Sequence, residues 1–125
     1  MPRPCKHRRI CRMPKACRFG PLGTDGGEDI ALTLDEYETL RLIDLLGYTQ
    51  EECAAQMGVA RTTVQAVCTA ARRKVADALV NSHRIEIQGG HYTLCPKARE
   101  CSGDCRRRCP QHVQNPRENR KDELP

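Results

Sequence analysis

TQEECAAQMGVARTTVQAVCTAARRKV, residues 49–75, is the stretch whose reading decides the fold. Thr49 is a helix N-cap with Glu52 three residues on, the reciprocal pairing of a capping box. A short helix follows over Gln50 to Met57, with Cys53, Ala54 and Met57 on one face. Gly58 ends it, because glycine takes the left-handed conformation of a helix C-terminus without a Cβ clash. Val59 and Ala60 complete a tight turn. A second helix opens near Arg61 and carries Val64, Val67, Cys68, Ala71, Val75, Ala78 and Leu79 on one stripe, the spacing of an amphipathic helix. Two helices joined through a glycine turn are either a plain helical hairpin or a helix-turn-helix.

Charge favours the second. Asp29 to Gly58 holds seven acids and one base, whereas Val59 to Arg84 holds five bases and one acid. The sign reverses at the turn, so the second helix is the cationic one. A helix meant for the major groove needs that, because phosphate neutralisation supplies most of the non-specific affinity.

Working outward, Thr33 and Glu36 form another capping box and open a helix over Leu34 to Leu46. Tyr37, Leu40, Ile43 and Leu46 recur every three residues along it, with Leu42 and Leu45 widening the stripe, and Gly47 stops it. Ahead of it, Ile30, Leu32 and Leu34 alternate as a short extended segment. Beyond the long helix the period changes. Residues 84–88 and 91–95 flank Gly89-Gly90 and predict a two-residue β-hairpin, with Ile85, Ile87, Tyr92 and Leu94 on one face. The expected fold is mainly α: a three-helix helix-turn-helix core with a small C-terminal β-hairpin, a winged-helix-like arrangement, between cysteine-rich basic tails.

The chain divides on composition into residues 1–28, a basic cysteine-containing arm and linker, residues 29–94, the helix-turn-helix domain with its hairpin, and residues 95–125, a cysteine-rich tail with a disordered end. The arm carries seven bases and two acids, the domain six and nine, and the tail eight and five, for a net charge of +5. Pro2, Pro4, Pro14 and Pro21 forbid a long helix in the arm. Arg8 and Arg9, with their neighbours, lie along phosphates or in a minor groove, or the arm is a solvated tail, with Ile10, Met13 and Phe19 as residues able to pin it to the core. One Phe, three Tyr and no Trp leave a small aliphatic core, so a metal or a partner subunit is a plausible extra tie. No apolar run suits a membrane span and the N-terminus has no secretory h-region, so the expected compartment is the cytoplasm.

The sequences LTLDEYETLRL (32–42), YTQEECAAQMGV (48–59) and ARRKVADALV (71–80) closely resemble a family of uncharacterised bacterial and archaeal proteins. RRIC (8–11), Pro14 and FGP (19–21) are similar to that family's N-terminal segment. The resemblance spans about residues 3–92 and implies a DNA-binding fold, with a helix-turn-helix like region four of sigma factors. Ala60 stands where that family usually has a serine N-cap, and Thr62 is the nearest substitute.

With Val64 as origin and about 100 degrees per residue, Thr62, Ala66, Thr69 and Arg73 point away from the apolar stripe, with Gln65 on the flank. Thr62, Thr63, Gln65, Ala66 and Thr69 are the candidate base readers, since glutamine pairs with adenine while threonine and alanine meet a thymine methyl. Arg72, Arg73 and Lys74 suit phosphates, and Arg61 suits either role. A homodimer would read two half-sites through two such helices.

Nine cysteines in a reducing compartment point to metal or redox chemistry rather than disulfides. Cys101, Cys105 and Cys109 share a face if helical, and Cys95 closes a four-thiolate site suited to zinc or an iron–sulfur cluster. Cys5, Cys11 and Cys17 form a weaker cluster, with His7 as a fourth ligand; the alternative for both is free thiols. Cys53 and Cys68 lie on helical core stripes as small hydrophobes. The leading function is a DNA-binding transcriptional regulator. The alternative is a metal- or redox-responsive sensor whose cysteines control DNA binding. No glycine-rich phosphate loop and no oriented Cys–His pair favour an enzyme.

Overall fold

The computed structural model describes residues 8–24 and 26–95. Strands β1 (Arg8–Ile10), β2 (Arg18–Phe19) and β3 (Asp29–Leu32) precede the helices, and β4 (Arg84–Ile87) and β5 (Tyr92–Leu94) follow them. The helices are α1 (Leu34–Thr39), running on as a π-helical segment over Leu40–Leu45, then α2 (Gln50–Met57) and α3 (Arg61–Asn81). The protein is mainly α with small sheets.

Local sequence explains where the helices begin and end. Thr33 accepts from the Glu36 N–H, and Glu36 accepts from the Thr33 N–H at 2.9 Å. Thr49 and Glu52 repeat the pattern at 3.0 and 2.9 Å. Each box satisfies two N–H groups that a helix start otherwise leaves open. Gly58 ends α2 at φ 72°, in the left-handed region. Ala60 precedes α3 with no side-chain cap, and Thr62 supplies none.

The α1 register departs from the expected stripe. Beyond Thr39 the bonds lengthen to i→i+5, as in Leu46 N–H to the Arg41 carbonyl at 3.0 Å. The wider turn rotates later side chains out of the α register. Leu42 becomes fully buried, Ile43 and Leu46 are half-buried, and Leu45 is 76% exposed.

Two apolar clusters meet along α3. Leu42, Tyr48, Cys53, Ala54, Met57 and Val64 form one, where α2 packs on the first half of α3. Leu32, Leu34, Ala71 and Ile87 form the other, beneath the β3–β4 strands. Val64, Cys68, Ala71 and Ala78 of the α3 stripe are buried, but Leu79 is 78% exposed. It sits beside Phe19 and Pro21 at the end of the helix, where no further element covers it among the described residues.

The expected hairpin does not form. β4 is the centre of a three-stranded sheet, antiparallel to β2 (Phe19 opposite Ile85) and parallel to β3 (Ile30 opposite Ile85, Leu32 opposite Ile87). β5 belongs to a second sheet, parallel to β1, with Arg8 opposite Tyr92 and Ile10 opposite Leu94. Gly89 and Gly90, at φ 80° and 96°, carry the chain between the sheets rather than folding it back. Gly89 accepts from the Leu34 N–H at 3.0 Å. A Cβ on Gly90 would lie 2.8 Å from the Asp35 carboxylate and 2.9 Å from Thr33, so the crossing over the α1 start needs glycine. Of the face assigned to Ile85, Ile87, Tyr92 and Leu94, Ile87 is buried in the second cluster and Ile85 and Tyr92 pack against it, whereas Leu94 is exposed.

The arm is pinned to the domain. Ile10 is fully buried, Met13 and Phe19 are exposed, and β1 and β2 each pair with a strand from the far end of the domain.

Candidate nucleic-acid interface

α3 is the longest element, and its 21 residues span about 32 Å at 1.5 Å per residue. Its inner stripe is fixed by the two clusters, which leaves the opposite side to solvent. Arg61, Thr62, Gln65, Ala66, Thr69, Ala70, Arg72 and Arg73 are exposed there, and Thr63 is half-buried. α2 contributes its acidic start: Glu51 lies 3.7 Å from the Arg61 guanidinium.

The cations differ in how they are held. Arg73 makes no ion pair with a described residue. Arg72 is exposed but forks onto Asp44 at 2.7 and 3.2 Å, and that hydrogen bond raises its pKa. An exposed pair of this kind contributes at most about 1 kcal/mol, so a phosphate can displace it. Lys74 is turned inward. Its ammonium donates to Glu36 and to the Ala31 carbonyl, both at 2.8 Å, tying α3 to α1 and β3. Lys74, expected on the phosphate-contacting side, is an internal tie between these elements.

Arg8 and Arg9 are likewise internal ties. Arg8 pairs with the buried Asp35 carboxylate. Arg9 donates to the Gln56 carbonyl at 2.7 Å and the Ala55 carbonyl at 3.1 Å. Those carbonyls end α2, where a helix presents open acceptors and partial negative charge. Arg9 thus fastens β1 to the turn that launches α3. Nothing in the local sequence marks this role, because both partners are backbone oxygens far along the chain.

On one flank α3 borders a shallow depression, where Ala66, Val67 and Ala70 face Arg8, Thr33, Asp35, Gly90 and His91. Ala66 thus sits on the edge of the outward face rather than at its centre. Thr62, Gln65, Thr69, Arg72 and Arg73 form the open centre.

The cysteines separate into three settings. Cys53 and Cys68 are buried in the helical core. Burial pushes the Cys53 thiol up to about 12 and raises Cys68 as well, so both are neutral hydrophobes, as their stripe positions predict. Cys17 is exposed and its carbonyl accepts from Ile87 in the three-stranded sheet. Cys11 and Cys95 are both buried, at the ends of β1 and β5. Cys5, His7, Cys101, Cys105 and Cys109 lie outside the described residues. Among the described residues no three metal-ligating side chains come together, and no described helix is long and apolar enough to cross a membrane.

A family profile described as "Protein of unknown function DUF134" matches residues 1–95. The chain belongs to this family. A "UPF0251 protein" of Desulfitobacterium hafniense is 55% identical over 97 residues, covering 76% of this chain and 78% of its own length. Proteins of the same name from Caldanaerobacter subterraneus and Desulforudis audaxviator are 45% and 42% identical. The first alignment covers 75% of this chain and 81% of the relative, and the second 85% and 70%. No solved structure matches. Membership of the DUF134/UPF0251 family extends over both sheets and all three helices, so the β1–β5 closure lies within the shared region.

Proposed function

We propose that this protein binds duplex DNA as a transcriptional regulator, with α2, the Gly58 turn and α3 acting as a helix-turn-helix like that of sigma-factor region four. In this reading α3 enters the major groove and α2 lies across the backbone. The observation that carries it is the outward face of α3. It is exposed along its first four turns, carries Arg61, Arg72 and Arg73, and interleaves them with Thr62, Gln65 and Thr69. A groove about 12 Å wide accepts a single helix presented this way. The glycine turn joins α2 to α3 as a helix-turn-helix requires, and Arg9 holds the end of α2 beside that turn.

The division of labour follows from chemistry. Gln65 reads a base edge bidentately, and Thr62 and Thr69 contact bases or thymine methyls. Arg72 and Arg73, further along, neutralise phosphates, with Arg72 exchanging Asp44 for the backbone. The test is fluorescence anisotropy with a duplex enriched by selection from genomic fragments, across a salt series. Wild type should lose affinity steeply with salt. Arg73→Ala should weaken binding to all duplexes and flatten the slope of log affinity against log salt by about 1. Gln65→Ala should leave the slope alone and change the order of preferred sequences. Binding that ignores salt, or absence of binding to any duplex, overturns the proposal.

A further inference from the structure

A cup of about 510 Å³ opens between the β1–β2 connection and the side of α1. Arg12, Met13, Lys15 and Phe19 line it from the arm, and Tyr37 and Arg41 from α1 and its π-helical continuation. Sites for small molecules span about 300–1,000 Å³, so the cup is large enough for one. No acid is among the described residues that line it. Glu38, the acid behind Arg41, is occupied by that guanidinium and by the Cys11 N–H. Two lining residues carry polar groups with no hydrogen-bond partner among the described residues: the Lys15 ammonium and the Tyr37 hydroxyl. The Tyr37 ring packs against the second apolar cluster, which fixes its direction. Burial holds the phenol above its ordinary pKa, against the pull of the nearby Arg41 and Arg12 charges, so it stays an O–H donor. Met13 and Phe19 are 43% and 53% exposed, two large apolar side chains at the walls of a basic cup.

We propose that this cup binds a small organic anion, a flat apolar ring carrying a carboxylate or a phosphate. The oxyanion accepts from the Tyr37 hydroxyl and the Lys15 ammonium, and Arg12 adds positive charge beside them. Arg41 keeps its fork on Glu38 and acts as a fixed part of the wall. The ring lies against Met13 and Phe19 and takes their apolar surface out of water, where sulfur and aromatic edges both meet a π-system favourably. A cationic ligand has no acid to meet here. That separates the cup from the depression on the α3 flank, where Asp35 and Glu36 are among the lining residues. The apolar walls also favour a compact ligand over a run of nucleic-acid backbone, which would leave Met13 and Phe19 in water. Nothing in the site draws on the outward face of α3, so it stands apart from the proposed DNA contact.

The test is calorimetric titration of the full chain with four probes: naphthoate, adenosine monophosphate, inorganic phosphate and acetate. At least one of the two ring-bearing anions should bind about tenfold or more tightly than phosphate and acetate, because the ring adds buried apolar area to the ion contacts. The tighter of the two tells a carboxylate ligand from a phosphate one. Lys15→Ala should weaken that probe by about tenfold, the scale of one charge-assisted hydrogen bond. Phe19→Ala should weaken the ring-bearing probe while leaving phosphate unchanged. Tyr37→Phe should weaken it by about fivefold or more yet leave the urea midpoint in place, because the hydroxyl has no protein partner to lose. A merely structural tyrosine would move the midpoint instead. No binding of either ring-bearing anion at millimolar concentration, ring-bearing anions no tighter than phosphate, or wild-type affinity in Lys15→Ala or Tyr37→Phe overturns the site. A Lys15→Ala variant that flattens the salt slope of duplex binding, with neither ring-bearing anion bound, reassigns the cup to nucleic-acid phosphates and overturns it too.

Discussion

Removing the Glu38 carboxylate should destabilise the domain more than almost any other single change. Its side chain is 0% exposed and accepts three hydrogen bonds, from the Cys11 N–H at 2.9 Å and from Arg41 at 2.8 and 2.9 Å. Burial works against the Arg41 charge, but the hydrogen bond and charge of Glu38 outweigh it and hold the guanidinium above its ordinary pKa. Glu38→Ala strips the carboxylate from a cation that is only 11% exposed and takes the acceptor from Cys11. Breaking a buried pair by removing one partner costs about 3–5 kcal/mol. Small domains have about 5–15 kcal/mol in total, so the variant should be marginal. Urea titration followed by circular dichroism reads this as a midpoint lower by about 1–5 M, given slopes of about 1–3 kcal/mol per M. Replacing both partners, Glu38→Leu with Arg41→Met, should recover part of the loss, since no lone charge is left buried. The remaining deficit should be about 1–3 kcal/mol for the Cys11 N–H. A loss below about 1 kcal/mol in Glu38→Ala, or a double variant worse than the single, would refute this account of the pair.

Two further outcomes follow from the same geometry. Lys74→Ala should lower stability by about 1 kcal/mol, the scale of a partly exposed pair, while leaving the salt slope of DNA binding unchanged; a flattened slope would return Lys74 to the phosphate-binding face. Stability should fall as pH rises through the window from 9.0 towards 12, because burial keeps Cys53 protonated in the folded state while the unfolded chain ionises. The contribution is present below pH 9 and is lost at up to about 1.4 kcal/mol per pH unit above it, and Cys53→Ala should remove that component of the slope in alkaline urea titrations.

The helices were legible in the sequence because their determinants are local. Thr33 with Glu36, Thr49 with Glu52, and Gly58 each act within one turn, and each does what its spacing predicts. The inner stripe of α3 was legible for the same reason down to Ala78, and it failed at Leu79, where the helix outruns the body that covers it. The sheets were not legible. Gly89-Gly90 between two alternating segments is a genuine hairpin signal, but β4 finds β2 and β3, and β5 finds β1. β1 and β2, of three and two residues, are too short to carry a period of their own. The candidate face of α3 was read correctly as exposed at Thr62, Gln65, Thr69 and Arg73. The internal contacts of Arg8, Arg9 and Lys74 were not legible, because a cation's sequence context does not say whether a distant acceptor will claim it.

The β1–β5 pairing also sets an order of events. Arg8 and its neighbours leave the ribosome early, yet their partner strand follows every helix. Until Tyr92 to Leu94 emerge, β1 has no ladder to join, and only its ties to α1 and α2 have both partners present. The β1–β5 ladder thus forms after the Arg9 grip on the end of α2 is already possible. A fragment trimmed to the helices alone would keep the caps and the α3 stripe but lose that latch. The grip on the turn ahead of α3 is, in this sense, supplied from outside the helices, while the helices themselves fix which side of α3 faces inward.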